Sequence, residues 1–349
     1  MSENKKLQAN KIFNPNWNDE VEHRTIIKWN TTWLFQLNNK KYWWATWLYQ
    51  VMVWNFWVPE KVSGLWDDAI QYDTILTDAE KRAYDWIISF LIFLDSVQTV
   101  NLPNFSEYIT SPEVNLILSI QSYQEAIHSQ SYATILETVV NTSKRDDIYY
   151  FWKTDKNLLE RNEYIWWIYQ TFIDNPNDEN LFKWLVWNFI LESLYFYNWF
   201  AFFDTLADHW KMVATDRMIN YIRRDELTHV TLFANILNEI KKEFPDLYSE
   251  ETVIEMFKVA VKQEIKWSKH ILWNSIIWIN EESIEKYTKW LANDRLAMLW
   301  INPIYKWFTE NPYKHLDRLQ DNNWEKSNFF ESTVTNYTQS SSLKWWWDF

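Results

Sequence analysis

Apolar residues recur at helical spacing through most of the chain, with polar residues filling the positions between them. Thr77 and Glu80 form a capping box, which predicts a helix from there to about residue 99. Ser111 and Pro112 mark the start of a second helix that reaches about residue 141. No segment shows sustained two-residue alternation between hairpin turns, so the pattern predicts an all-α fold. The further helices expected cover residues 178–207, 215–244, 250–276 and 282–299.

The two ends of the chain differ from this helical middle. Residues 319–349 are rich in Asn, Ser and Thr and end in Trp-Trp-Trp-Asp-Phe, and residues 1–20 are also mostly polar. Segments of this kind bury too little apolar surface to offset the entropy of ordering. We therefore expect a flexible N-terminus over residues 1–20, one helical domain over residues 21–318, and a flexible tail over residues 319–349.

The composition excludes several classes of function. The chain has no cysteine, so any metal must be held by imidazole and carboxylate groups rather than by thiolates. A net charge of -13, with the 34 basic residues scattered, argues against a nucleic-acid partner. No uninterrupted apolar stretch approaches the roughly 20 residues that cross a bilayer, and the first residues carry no secretion signal. We expect a cytoplasmic protein with no membrane partner.

One feature of the composition is abnormal. The chain has a single glycine, Gly64, and 27 tryptophans, whereas average usage of about 7% would give roughly 24 glycines in a chain of this length. Many tryptophans stand where a turn favours glycine, as Trp17 does between two asparagines. Because only glycine adopts positive φ angles at little cost, the pattern suggests that tryptophan has replaced glycine at many positions.

Two short motifs point to a metal site. Glu125 and His128 lie three residues apart on the second predicted helix, and Glu226 and His229 repeat this spacing on the fourth. Residues three apart share one face of a helix, so each motif directs a carboxylate and an imidazole into the same space. Proteins that bind two metal ions in a helical bundle use this pair of motifs, together with one carboxylate from each of two other helices.

The other two helices each supply a candidate carboxylate. Asp95 interrupts an apolar face of the first helix, and Glu192 does the same on the third. A lone buried carboxylate is costly unless it is paired or bound to metal. Either motif alone is common by chance, and a single acid can be a surface or core polar group. However, two of only six histidines fall in such motifs on separate helices, and together they predict a dimetal site suited to iron or manganese.

Tyr132 is the candidate redox residue. It follows Glu125 by seven residues, which is a rotation of about 20° on a helix, so it lies on the ligand-bearing face. Most tyrosines at such positions are ordinary core residues. Beside a metal pair that reacts with oxygen, however, Tyr132 is a candidate for one-electron oxidation.

These residues together resemble the small (beta) subunit of class I ribonucleotide reductase, over roughly residues 57–337. The resemblance is carried by the order and spacing of several segments rather than by one motif. They are Phe56-Trp57-Val58-Pro59-Glu60, Asp95-Ser96-Val97-Gln98, Glu125-Ala126-Ile127-His128 with Tyr132, Glu192 with Phe196 and Phe200, and Arg224-Asp225-Glu226-Leu227-Thr228-His229.

The resemblance implies a ferritin-like helical bundle and a role for each matching residue. Tyr132 would carry a stable radical, and Asp225 would orient His128 and connect it to Trp57 on a radical-transfer route. One metal would be held by Asp95, Glu125 and His128, the other by Glu192, Glu226 and His229, with carboxylate bridging. An apolar pocket formed by Phe196, Phe200 and Ile222 would surround the radical. Two irons are the expected pair, with Mn/Mn and Mn/Fe as alternatives.

The resemblance also implies partners. Tyr337 in the tail would relay the radical to the large (alpha) subunit, and the last residues, ending in Asp348 and Phe349, would dock that subunit. A homodimer is expected, and a flavodoxin-like activator is left open as a further partner. One departure is Trp199, which stands beside Phe200 where the family usually has a small residue, so overpacking near the radical pocket is expected.

The expected function is therefore radical generation for a separate catalytic subunit that reduces ribonucleotides to deoxyribonucleotides. Thiols carry out that reduction in the family, so a chain without cysteine would be the radical-generating subunit. Two alternatives remain open at this point. One is a related dimetal oxidase acting on its own small or fatty substrate, and the other is a metal-storage or purely structural bundle.

Overall fold

A computed structural model describes residues 6–17, 20–272, 276 and 279–316 of the chain. Its described part is helical, as predicted, and the all-α class is confirmed. The helices are α1 Trp43–Trp54, α2 Leu65–Thr74, α3 Asp78–Ser106, α4 Pro112–Val139, α5 Thr142–Tyr149, α6 Phe151–Thr154, α7 Lys156–Asp174, α8 Asp178–Ile190, α9 Tyr197–Asp208, α10 Val213–Glu243, α11 Glu250–Leu272 and α12 Glu281–Ala297.

The predicted helix starts follow from local capping. The Thr77 side chain accepts from the Glu80 backbone N–H, and the Glu80 carboxylate accepts from the Thr77 backbone N–H, completing the capping box of α3. At α4, the Ser111 hydroxyl accepts from the Val114 N–H, and Pro112 occupies the first turn, where its missing N–H would be unpaired anyway. These caps fix where the two helices begin.

Helix ends were predicted less well. The expected end of α3 near residue 99 was wrong, because the helix continues through Pro103 to Ser106. The expected single helix over residues 178–207 was also wrong, because a π-helical turn, Leu191–Tyr195, separates α8 from α9. Such a turn inserts an extra residue into the helix and often marks a functional site. This one contains Glu192.

Four helices form the centre of the bundle. α3 packs along α4, and α10 packs against both α4 and the α8–α9 unit. α3 is long and apolar enough to cross a membrane by length and composition, with a mean hydropathy of 1.3 in its most apolar window. It is instead an interior helix of this bundle, since 56% of that window is buried and it carries the buried Asp95.

Two tryptophans occupy the left-handed backbone conformation just after a helix. Trp210 follows α9 and Trp300 follows α12, each with φ of 59°. In each case the residue directly after the tryptophan closes the helix end: the Lys211 N–H donates to Leu206 O, and the Ile301 N–H donates to Leu296 O. This is the Schellman geometry, which strongly favours glycine.

We expect Trp210→Gly and Trp300→Gly each to raise the free energy of unfolding by about 1 kcal/mol, since a non-glycine residue in this conformation costs roughly 1–2 kcal/mol. The two side chains are 84% and 65% exposed, so their removal leaves no cavity. Urea denaturation measures the effect. The matched control is Trp167→Gly, a 63% exposed position inside α7, where glycine should instead destabilise by about 1 kcal/mol.

Candidate metal centre

Six buried side chains from four segments meet in the middle of the bundle. α4 and α10 carry the two Glu-x-x-His motifs, α3 supplies Asp95, and the π-helical turn supplies Glu192. All six are fully buried. Their ligand atoms form two groups, each of a size that suits one metal ion. The first group is Asp95, Glu125, His128 and Glu226, and the second is Glu125, Glu192, Glu226 and His229.

The two groups share the two motif glutamates. Glu226 lies between the imidazoles, with Oε1 3.0 Å from His128 Nδ1 and Oε2 3.1 Å from His229 Nδ1. Glu125 also faces both, with Oε2 3.7 Å from His128 Nδ1 and Oε1 3.2 Å from His229 Nδ1. Asp95 and Glu192 each belong to one group only. Two carboxylates are therefore common to both groups, and two belong to one group each.

Burial and mutual repulsion dominate the electrostatics of the cluster. Burial raises the pKa of Asp95, and the neighbouring carboxylates of Glu125 and Glu226 raise it further. The pKa of Glu192 is raised for the same reasons. For Glu226 burial also acts upward, but the two imidazoles, His229 first, outweigh it and hold the pKa of that carboxyl below its ordinary value. Cations placed among these carboxylates would relieve the repulsion between them and favour their ionised forms.

Several of these candidate ligand atoms make no hydrogen bond of acceptable geometry with a described residue, even where an imidazole and a carboxylate lie 3.0 Å apart. They include both oxygens of Asp95, Oε2 of Glu125 and of Glu192, Oε1 of Glu226, and Nδ1 of His128. Buried polar atoms are nearly always paired, so unpaired atoms in one place require an explanation. Two metal ions bound by these oxygen and imidazole ligands would satisfy them, and the donor set suits iron or manganese.

Tyr132 lies in α4 beside this cluster. Its side chain is fully buried, and its hydroxyl has no hydrogen-bond partner in the described part of the chain. Burial raises the pKa of the Tyr132 phenol well above its ordinary value, and the carboxylates of Asp95 and Glu226 raise it further. Of the three pocket residues expected from the sequence, Phe196 and Ile222 are fully buried and Phe200 is 1% exposed. The rings of Phe196 and Phe200 stack with centroids 6.1 Å apart.

A hydrogen-bonded chain leads from the cluster to Trp57. His128 turns Nδ1 toward the carboxylates, and its Nε2 lies 3.3 Å from Asp225 Oδ2. The Trp57 indole Nε1–H donates to the same oxygen at 2.7 Å. Because Asp225 Oδ2 receives both contacts, it fixes the orientation of the imidazole, as carboxylates beside metal-binding histidines commonly do.

Beyond Trp57, the structure adds a residue that sequence reasoning missed. The Tyr221 ring stacks on the Trp57 ring, with centroids 5.0 Å apart and an interplanar angle of 20°. Tyr221 is partly exposed. It precedes Asp225 by four residues on the same helix, and that spacing was the available signal.

Sequence reasoning also missed the role of three buried amides, Gln98, Gln121 and Asn188, which surround Glu192. Each lies three or four residues from a ligand on its own helix, and that spacing was the available signal.

Trp199, expected to crowd the radical pocket, is fully buried and has edge contacts with Phe90 and Trp267. Tyr337 and the rest of the tail lie outside the described residues.

The fold and the site define a class of protein: helical bundles that hold two metal ions with carboxylates and a pair of Glu-x-x-His motifs. Within that class, residues 34–312 match the family model "Ribonucleotide reductase, small chain". The chain belongs to this family, whose members are the small subunits of an oxidoreductase that also needs a large subunit.

Individual relatives agree. The chain is 39% identical to the ribonucleoside-diphosphate reductase subunit beta of Treponema pallidum over 342 residues, covering 97% of each chain. A solved ribonucleotide reductase R2 subunit from Clostridium botulinum superimposes with a TM-score of 0.87 at 42% identity, over 90% of this chain and 99% of that one. The dimanganese(II)-NrdF of Streptococcus sanguinis has a TM-score of 0.67 at 19% identity, over 78% of this chain and 93% of that one, and shares the fold.

Proposed function

We propose that this small subunit generates and stores a one-electron-oxidised tyrosine at Tyr132 and lends that oxidising equivalent to the large subunit for ribonucleotide reduction. The observation that carries the proposal is the position of Glu226 between two imidazoles. Next to it lies a buried tyrosine, Tyr132, whose phenol pKa is raised by burial and by the carboxylates of the same cluster. A storage bundle needs no such tyrosine, and no hydrogen-bonded route to Trp57.

The proposed metal ligands are the six residues that meet in the cluster. Asp95 and Glu192 would be terminal ligands of the first and second metal position, and Glu125 and Glu226 would be shared. The bound pair would supply the chemistry that reduces oxygen and removes one electron from the phenol. We propose two irons as the working metals. The Streptococcus sanguinis relative holds two manganese ions according to its title, so metal analysis of protein from its native host, alongside activity, decides between them.

The protein's own contribution to radical storage is a dry environment. Phe196, Phe200 and Ile222 are all buried, and an apolar wall of this kind keeps water and reductants from a nearby radical.

The proposed exit route runs from His128 through Asp225 to Trp57. Both contacts on Asp225 fall on one carboxylate oxygen, which leaves that oxygen placed to accept a proton when the indole is oxidised.

Three further proposals concern the end of the radical route and the partners of the chain. Tyr337 would continue the radical route in the tail, residues 319–349 would dock the large subunit, and two copies of this chain would form a homodimer. These residues of the tail lie outside the described part of the chain. The cytoplasmic location and the flexible N-terminus over residues 1–20 stay predictions.

The deciding experiment is electron paramagnetic resonance after the metal-free protein is loaded with iron(II) and exposed to oxygen. We expect a tyrosyl signal in the unmodified chain and none in Tyr132→Phe, with unchanged iron binding. The matched control is Tyr84→Phe, which removes another fully buried hydroxyl, one that pairs with Thr215 instead, and should leave the signal in place. A signal that survives in Tyr132→Phe, or no signal in any variant, would refute the radical assignment.

A further inference from the structure

Three amide groups converge on one oxygen of Glu192. The Nε2 atoms of Gln98 and Gln121 donate to Glu192 Oε1 at 2.9 and 3.1 Å, and the Nδ2 atom of Asn188 does so at 3.3 Å. All three amide side chains are at least 98% buried. They come from α3, α4 and α8, so three helices contribute one donor each to a single carboxylate oxygen.

A second set of contacts fixes which way the amides point. Asn188 Oδ1 accepts from Gln98 Nε2 at 2.8 Å and from the Tyr169 hydroxyl at 3.0 Å. Gln98 Oε1 accepts from Asn101 Nδ2 at 3.0 Å. Flipping either amide would bring donor against donor, so the network sets the orientation in which the N–H groups face Glu192.

The other oxygen of Glu192 is different. Oε2 has no hydrogen-bond partner among the described residues and lies 3.6 Å from His229 Nδ1, on the ligand side of the cluster. The other terminal carboxylate, Asp95, has no such partner on either oxygen. The two terminal carboxylates are therefore held very differently, although both are fully buried.

We propose that Gln98, Gln121 and Asn188 form an amide clamp, which holds Glu192 as a terminal ligand through Oε2 alone and makes the second metal position the rigid one. This inference rests on the proposed dimetal function. If Oε1 turned toward a metal, three buried N–H groups would lose their acceptor, and unpaired buried donors are strongly disfavoured. Asp95 carries no comparable restraint, so the carboxylate whose charge acts most strongly on the Tyr132 phenol is the one free to change its mode of binding.

One member of the clamp, Gln121, also contacts a carboxylate that is shared by both metal positions. Gln121 Nε2 donates to Glu125 Oε1 at 3.2 Å as well as to Glu192. Glu125 is a shared carboxylate, and its Oε1 is the oxygen that faces His229. The amide side chains therefore restrain the two carboxylates nearest His229, Glu192 through the oxygen turned away from the cluster and Glu125 through the oxygen that faces His229.

The test is manganese(II) binding to the metal-free protein, followed by titration and low-temperature electron paramagnetic resonance. Gln98→Met and Gln121→Met remove the donors while keeping similar volume. In each variant we expect one of the two ions to bind about 10–100-fold more weakly, the usual effect of losing a hydrogen bond behind a metal ligand, and the other to change by less than about threefold. At one equivalent of manganese, the variants should show the signal of an isolated ion rather than that of a coupled pair.

Two controls separate the clamp from a general structural role. Asn162→Leu removes another buried amide, on α7, whose polar atoms have no partner among the described residues, and it should bind both ions normally. Asp95→Asn should weaken the other ion, so that Asp95→Asn combined with Gln121→Met loses both. Circular dichroism and thermal melting of the metal-free proteins verify folding, and if one Met variant does not fold, the other provides the test.

The clamp is refuted if the Met variants bind two ions as the unmodified chain does, if both ions weaken equally, or if Asn162→Leu shows the same selective loss. Failure of the proposed function gives a different result. In that case the unmodified chain itself would not bind two ions or would form no tyrosyl radical, whatever the variants do.

Discussion

Glu226→Gln is expected to abolish tight binding at both metal positions. Glu226 is shared by the two ligand groups and contacts both imidazoles, so one substitution removes a negative charge from each ion. A unit charge at about 4 Å contributes about 4 kcal/mol at an effective dielectric constant near 20, which is roughly a thousandfold in affinity for each ion. Glutamine has nearly the same shape, so the loss reflects charge rather than packing.

The measurement is metal content and affinity for iron(II) and manganese(II), made in competition with a chelator. The matched control is Asp95→Asn, which also exchanges a fully buried carboxylate for an amide, but in only one of the two groups. It should weaken one ion and spare the other. Equal losses in the two variants, or a Glu226→Gln protein that still binds one ion tightly, would show that Glu226 is not a bridging ligand.

The six clustered residues were predictable from the sequence because helical geometry relates them simply. Glu125 and His128 share a face by their three-residue spacing, and the same holds for Glu226 and His229. Asp95 and Glu192 were recognisable because burial makes a lone carboxylate in an apolar stretch costly. Helix spacing and the cost of burying a carboxylate are both readable from the sequence. The structure then shows that the six side chains form two adjacent groups, each of a size that suits one metal ion.

Other features depend on contacts between helices and could not be read from spacing alone. Gln98 has the right spacing to face the site, but only the fold shows that its donor, and that of Asn188 on another helix, meet at one Glu192 oxygen. The π-helical turn around Glu192 contains neither proline nor glycine, so nothing in its composition marks the extra residue. The stacking of Tyr221 on Trp57 likewise joins two segments far apart in the chain.

The sequence suggested that tryptophan stands at positions that favour glycine, and the backbone angles show this at three tryptophans. Trp33, Trp210 and Trp300 all have positive φ angles, the backbone conformation that favours glycine. The two Glu-x-x-His motifs contain no tryptophan, and their side chains meet in the two candidate metal-binding groups. Strain from these side chains therefore falls on turns and helix ends, where it affects stability rather than the arrangement of ligands.

Asp225→Asn is expected to separate radical formation from radical export. Its Oδ2 atom accepts from Trp57 Nε1 and lies beside His128 Nε2. An asparagine carbonyl oxygen can replace it in both contacts, so the imidazole and the metal ligands keep their places. The neutral amide, however, cannot take up the indole proton when Trp57 is oxidised. Removal of such a proton acceptor lowers rates by about 10²–10⁴-fold, and we expect turnover with the large subunit to fall by that factor.

The tyrosyl signal should form in Asp225→Asn to within about twofold of the unmodified yield when an external one-electron donor such as ascorbate is supplied, because the loss of a proton acceptor affects only the steps that need it. Trp57→Phe removes the next residue on the route and should block turnover to the same extent. Combining the two substitutions should add little, since residues that act in one pathway have non-additive effects. If Asp225→Asn instead loses iron and the radical together, Asp225 acts by holding His128 in place, and the export route must leave the metal centre through other residues. Full turnover in Asp225→Asn would exclude the carboxylate from proton transfer altogether.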